Sequence, residues 1–256
     1  MDIFQEIKQE LLAHASQEKA SILQRFFKTN KGEYGEGDIF IGITVPIIRG
    51  IAKKFQNQVL TKEVTLFLHS KIHEERLLAL LILIEKFQQA KREKDENEVV
   101  EFYVDRNNLS YVNNWDLVDA SCYKILGSFL TKHPNEADIL YKFAKDNDLW
   151  VKRIAIVSTL AFIRKGQFSH TINLADILIK DSHNLIHKAT GWMLREVGKK
   201  DKKTLLDFLN KNHSKMPRIA LSYAIERLSA EEKTFYARER SVLKKRGNPF
   251  VNRFYN

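Results

Sequence analysis

Residues 113–121 read NNWDLVDAS and residues 147–155 read NDLWVKRIA, and superposing them puts Asp119 in the slot that Arg153 fills 34 residues later. The slot recurs at Lys188 and again at Arg218 within MPRIA (216–220), after steps of 35 and 30 residues. Counting Arg76 to Asp119 as the longest step, the unit repeats every 30 to 43 residues. Such a period belongs to stacked pairs of helices, each pair burying its apolar face against the next.

The sequence between these motifs agrees. Apolar residues recur at three- and four-residue steps in Ile3, Ile7 and Leu11, in Leu77, Leu80, Leu81 and Ile84, in Ile125 and Phe129, and in Leu174, Ile177 and Leu178. That is the period of a helix buried along one face, and no convincing run alternates with period two. Only 4 prolines and 10 glycines interrupt 256 residues, so long helices are permitted almost everywhere. Short polar breaks at 146–148 (DND), 180–184 (KDSHN) and 211–217 (KNHSKMP) separate them. The expectation is an all-α fold, a HEAT-like helical repeat solenoid over residues 1–228 whose second helices line a concave basic groove. Residues 229–256 are expected to form a basic extension, either packed as a cap or mobile.

Charge narrows the partners. The 42 Lys and Arg exceed the 32 Asp and Glu, for a net charge of +10, and this favours a polyanion. The cations gather toward the C-terminal half, in KATGWMLREVGKKDKK (188–203) and in Arg238, Arg240, Lys244, Lys245, Arg246 and Arg253. Within that basic column Asp119 is the one acid, and two explanations stand: a carboxylate kept for chemistry, or an Asp–Arg staple between neighbouring repeats. Trp115 precedes Asp119 by four residues and Trp192 follows Lys188 by four, so each indole shares a helix face with a charge. A flat aromatic beside a charge suits contact with sugars or bases, although core packing is the common fate of a tryptophan. Trp150, between Leu149 and Val151 and out of phase with the slot, is assigned to the core.

Other signals exclude functions. The longest strongly apolar run, Leu77 to Ile84, is far short of the roughly 20 residues that cross a bilayer, and the acidic start MDIFQEIKQE is not a signal peptide. A single cysteine, Cys122, forms no internal disulfide or thiolate cage, which fits a reducing cytoplasm. KGEYGEGD (31–38) lacks the Gly-Lys-Ser/Thr end of a phosphate loop and carries Glu33, Glu36 and Asp38, so it reads as a structural loop. His69 and His73 have i,i+4 spacing but no glutamate between them and no third ligand; they read as a solvated helix end, with no metal expected. Glu75 and Asp116 read as solvated or helix-start carboxylates. A Schiff-base role for Lys188 would need a strongly depressed pKa, for which nothing argues.

Six segments carry a resemblance: KGEYGEGDIFIGITVPIIR (31–49), HEERLLALLIL (73–83), NNWDLVD, NDLWVKRIAI, HKATGWMLREVGK (187–199) and MPRIALSYAIERL (216–228). Together they resemble the AlkD-type alkylpurine DNA glycosylases, HEAT-like DNA alkylation repair enzymes, over nearly the whole chain. The resemblance implies that the catalytic carboxylate is Asp119, that Trp115 and Trp192 face the DNA and that Arg153 holds a phosphate; Lys188 and Arg218 extend the DNA-contacting column. It further implies a monofunctional enzyme that hydrolyses the N-glycosidic bond of N3- and N7-alkylated purines in double-stranded DNA, with the lesion left in the stack. No cofactor is expected, and a cytoplasmic monomer, associated with the nucleoid when on DNA, is the default. The competing expectation is a catalytically silent HEAT-repeat scaffold that binds bent or branched nucleic acid; a protein-interaction solenoid is a third. The chain departs from the family pattern after Ser229, and at Thr44, where some relatives place a DNA-touching glutamine.

Overall fold

The computed structural model describes residues 2–237, so the six cations expected between Arg238 and Arg253 lie outside the described residues. The fold is an all-α helical repeat fold; among the described residues there is no strand, only an isolated bridge between Ile39 and Ile72. The chain divides into two compact units, Met1–Asn135 and Glu136–Asn256.

The first unit runs α1 (Ile3–Ala13), α2 (Gln17–Phe26), α3 (Val45–Phe55), α4 (Thr65–Leu68), α5 (His73–Gln89), α6 (Glu93–Val104), α7 (Arg106–Leu109), α8 (Trp115–Ser121) and α9 (Ser128–Leu130). Its centre is α5, which packs against α3, α4, α6 and α8. The run Leu77–Ile84 is buried on every side of that helix, as an all-round apolar helix must be. Each of its leucines and isoleucines contributes about 1.5–3 kcal/mol on burial.

The start of α5 departs from expectation. His73, Glu74, Glu75 and Arg76 are all buried, so His73 is a helix end that is not solvated, and Glu75 is a helix-start carboxylate, as expected, but not a solvated one. The cause is the segment 38–44, which folds over that end of the helix. The Glu74 carboxylate accepts the backbone N–H groups of Ile41, Gly42 and Ile43 at 3.1, 2.8 and 3.3 Å, satisfying donors that the irregular segment would otherwise leave unmet. Gly42 makes the crossing possible. Its φ is +83°, and a Cβ there would stand 2.1 Å from the carbonyl oxygen of Ser16.

The second unit contains α10 (Asp138–Phe143), α11 (Leu149–Ser158), α12 (Leu160–Arg164), α13 (Ser169–Leu178), α14 (Asn184–Lys200), α15 (Lys202–Asn212) and α16 (Arg218–Ala224). Two of the polar breaks read from the sequence, 146–148 and 180–184, supply caps. Asp148 accepts from the backbone of Trp150 and Val151 at the head of α11, and His183 from Leu185 at the head of α14, filling orphan donors of the first turn. The long α14 is central and packs on α11, α13, α15 and α16. Gly191 lets α16 approach, since a Cβ there would lie 2.4 Å from the Ala220 carbonyl oxygen. A further helical stretch occupies 230–237. Its Tyr236 is buried among Leu205, Leu209 and Leu228 and donates its hydroxyl to Asn210 Oδ1 at 2.8 Å.

Candidate functional site

The motif NNWDLVD is built from its cap outward. Asn114, fully buried, accepts the Trp115 N–H with Oδ1 at 2.8 Å and donates Nδ2 to Asp38 Oδ2 at 3.0 Å. Asp38, the last residue of KGEYGEGD, therefore points inward. It also receives the Arg76 guanidinium and lies 2.9 Å from His73 Nδ1. His73 Nε2 lies 2.8 Å from Asp116 Oδ2. Burial opposes ionisation of Asp38, but His73, Arg76 and Asn114 outweigh it and hold its pKa below the usual carboxylate value. Asp116 is thus a helix-start acid, as expected, and also a partner of buried His73.

Above this charge network sits an aromatic stack. The His73 ring lies on Phe40 with centroids 4.3 Å apart, Phe40 on Phe27 at 4.9 Å, and Phe27 on Trp115 at 5.2 Å with planes 17° apart. Phe26 meets Trp115 edge-on at 6.0 Å and is 62% exposed. Trp115 itself is half-buried; one side is packed against this cluster.

Asp119 is the fifth residue of α8, one turn beyond Trp115 and also half-buried. Behind it, the Tyr103 hydroxyl is 3.0 Å from Ser121 Oγ, which donates to the Leu117 carbonyl at 2.6 Å. Burial pushes the Tyr103 phenol well above its ordinary pKa, with smaller contributions from Cys122 and the charge of Asp119. One turn past Asp119 the helix widens into a π turn, Tyr123–Gly127, closed by the Gly127 N–H on the Cys122 carbonyl at 2.9 Å. Such turns are frequent next to functional residues.

In the second unit, Arg153 is the fifth residue of α11 and Lys188 the fifth of α14, so they share the register of Asp119 in α8. Arg218 is the first residue of α16, a turn earlier, because Pro217 immediately precedes the helix. Arg153 is 5% exposed and donates Nη1 to the Leu185 carbonyl at 2.7 Å, which ties α11 to the head of α14. Its neighbour Lys152 bonds Asp181 at 2.8 Å. Lys188 and Arg218 are exposed, Trp192 is half-buried and Trp150 is buried. The column is therefore uneven: two cations open to solvent and one built into the packing.

A family model described as DNA alkylation repair enzyme matches residues 7–228. The chain belongs to the DNA alkylation repair enzyme family. No curated protein matches the chain. Among solved structures, one described as a predicted DNA alkylation repair enzyme from Enterococcus faecalis superposes with a TM-score of 0.67 at 20% identity, covering 85% of this chain and 98% of that one. At that identity the likeness establishes the shared fold. Family membership assigns the chain to repair of alkylated DNA and makes DNA its substrate.

Sequence reasoning missed the support beneath α8. The signal was present in HEERLLALLIL, where four charged residues open a helix that is otherwise apolar on all sides, a position from which they cannot all reach water. Among the described residues no group of His, Cys, Asp and Glu is arranged to hold a metal ion; both ring nitrogens of His73 are already taken by carboxylates. No described helix is long and apolar enough to cross a membrane.

Proposed function

We infer that this DNA repair protein is a monofunctional glycosylase that hydrolyses the N-glycosidic bond of N3- and N7-alkylated purines in duplex DNA. The observation that carries the reading is Asp119, a half-buried acid one turn from a half-buried tryptophan, in a chain of net charge +10 from a DNA alkylation repair family. A binding module for a polyanion gains nothing from that carboxylate.

The chemistry requires little more. A purine alkylated at N3 or N7 is already cationic and leaves without a general acid to protonate it. Cleavage builds positive charge on the deoxyribose, and a fixed anion stabilises that oxocarbenium-like state. Asp119 supplies the anion and orients the attacking water. Trp115 and Trp192 pack against the sugar and the cationic lesion. Lys188 and Arg218 hold phosphates from exposed positions, and Arg153 does so while bracing α14. The lesion stays in the stack, and the protein works as a cytoplasmic monomer on nucleoid DNA without a cofactor.

The test is release of 7-methylguanine from methylated duplex DNA by the purified protein with no added metal, read also as alkali-labile sites on a gel. Salt-sensitive binding without base release would instead establish the silent scaffold.

A further inference from the structure

The charge network at the head of α5 has no part in the chemistry above, yet it reaches the Trp115–Asp116 dipeptide twice. One route is the hydrogen bond from His73 Nε2 to Asp116 at 2.8 Å. The other is the stack from the His73 ring through Phe40 and Phe27 to the Trp115 indole. Both end at the first turn of the helix that carries Asp119.

Stability alone does not explain such a device. A buried ion cluster is seldom more stable than well-packed apolar residues of similar volume, and the surroundings here are already aromatic. What the cluster supplies is direction, since each hydrogen bond fixes an angle that apolar packing leaves loose. The donor count shows where it matters. As an imidazolium, His73 donates to both carboxylates; as a neutral ring it carries one N–H and must abandon one of them. Asp38 keeps Arg76 and Asn114. Asp116 has no such reserve, because its Oδ1 is buried without a hydrogen-bond partner.

We propose that His73, clamped as an imidazolium between Asp38 and Asp116, is a positioning residue that sets the pitch of α8 and with it the plane of Trp115 and the placement of Asp119. The assignment of those two groups to the reaction rests on the function proposed above. The charged groups around the ring are Asp38 from the loop, Asp116 from α8, and Glu74, Glu75 and Arg76 from α5 itself. Glu74 is turned toward the backbone of 41–43, and Glu75 toward Lys8 of α1 at 4.0 Å. Burial pulls the imidazole pKa down, but Asp116 and Asp38 outweigh it and raise it from 6.5 to about 9. When the proton lost is the one on Nε2, the bond to Asp116 goes with it and the first turn of α8 loses one of its two ties to α5.

The experiment follows the ring nitrogens of His73 and the indole N–H of Trp115 by NMR in the full-length protein as pH rises, beside single-turnover release of 7-methylguanine. The expected result is one shared midpoint near 9 for the ring, the indole and a fall in rate of tenfold or more. His73→Gln abolishes the indole titration and starts from the low rate. Asp116→Asn, which keeps the side-chain shape, lowers the ring midpoint and carries the indole midpoint down with it. An indole that stays flat while His73 titrates, or an indole midpoint that ignores Asp116→Asn, overturns the proposal. Absence of base release at every pH contradicts the glycosylase reading alone, because the indole titration decides the positioning role without it.

Discussion

His73 Nε2 stands 2.8 Å from the carboxylate of Asp116, 43 positions away in the chain. This bond joins the first residue of α5 to the second residue of α8 and closes a ring of contacts with Asp38, Phe40, Phe27 and Trp115. The charge at one end of the apolar central helix is thereby coupled to the orientation of the candidate site.

That coupling makes stability depend on pH in a definite direction. The folded imidazole has a pKa near 9 against 6.5 as its ordinary value, so below 6.5 both states are protonated and the contribution is fully present. Between 6.5 and about 9 the folded state holds a proton that the unfolded chain has lost, and stability declines, ending above the folded pKa. The contribution is on the order of 3 kcal/mol. Urea unfolding of wild type and His73→Gln across this range should give a difference that shrinks as pH rises; a constant difference would show that His73 is not charged in the native state.

Replacing Asp119 by asparagine keeps the size of the side chain and removes its charge. Single-turnover release of 7-methylguanine should fall on the order of 100- to 1000-fold, while affinity for duplex DNA is kept or rises slightly. Wild-type release in this variant would reduce Asp119 to a helix staple.

Lys188 and Arg218 are the exposed cations of the column. Lys188→Ala and Arg218→Ala should each weaken binding and reduce the slope of log affinity against log salt by about 1, measured by fluorescence anisotropy on unmodified duplex. Arg153→Ala has a different profile. It should lower stability by roughly 1–3 kcal/mol, because it leaves the Leu185 carbonyl at the head of α14 without the buried bond that ties it to α11.

Gly191 allows α14 and α16 to touch, and Gly191→Ala places a methyl 2.4 Å from the Ala220 carbonyl oxygen and 2.6 Å from Tyr223 Cβ. The gain in helix propensity is about 1 kcal/mol. Overpacking costs roughly 1–3 kcal/mol and should prevail, lowering the urea midpoint. A stabilised variant would mean that α16 can move away freely.

Much of this was legible in the chain because it is local. The 3.6-residue period of Ile3, Ile7 and Leu11, the scarcity of breakers and the polar breaks at 146–148 and 180–184 depend on neighbours within a turn or two. The repeat period placed Asp119, Arg153 and Lys188 at the same position of three helices. Arg218 fell a turn early, since Pro217 determines where α16 begins and a gapless comparison of motifs does not register that. His73 was misread for a different reason. Helical spacing says which residues share a face, but whether that face meets water depends on what folds over it, and here the cover is the segment 38–44.

The amino-acid order by itself determined the all-α class, the repeat, and the pairing of Trp115 with Asp119 on one face, because each follows from periodicity along a single helix. Only the tertiary structure decided that Asp38, His73, Arg76 and Asp116 meet in the interior, and that Arg153 is buried while Lys188 and Arg218 are open. Those outcomes depend on contacts between residues 29 to 76 positions apart, and burial is a property of everything packed around a side chain.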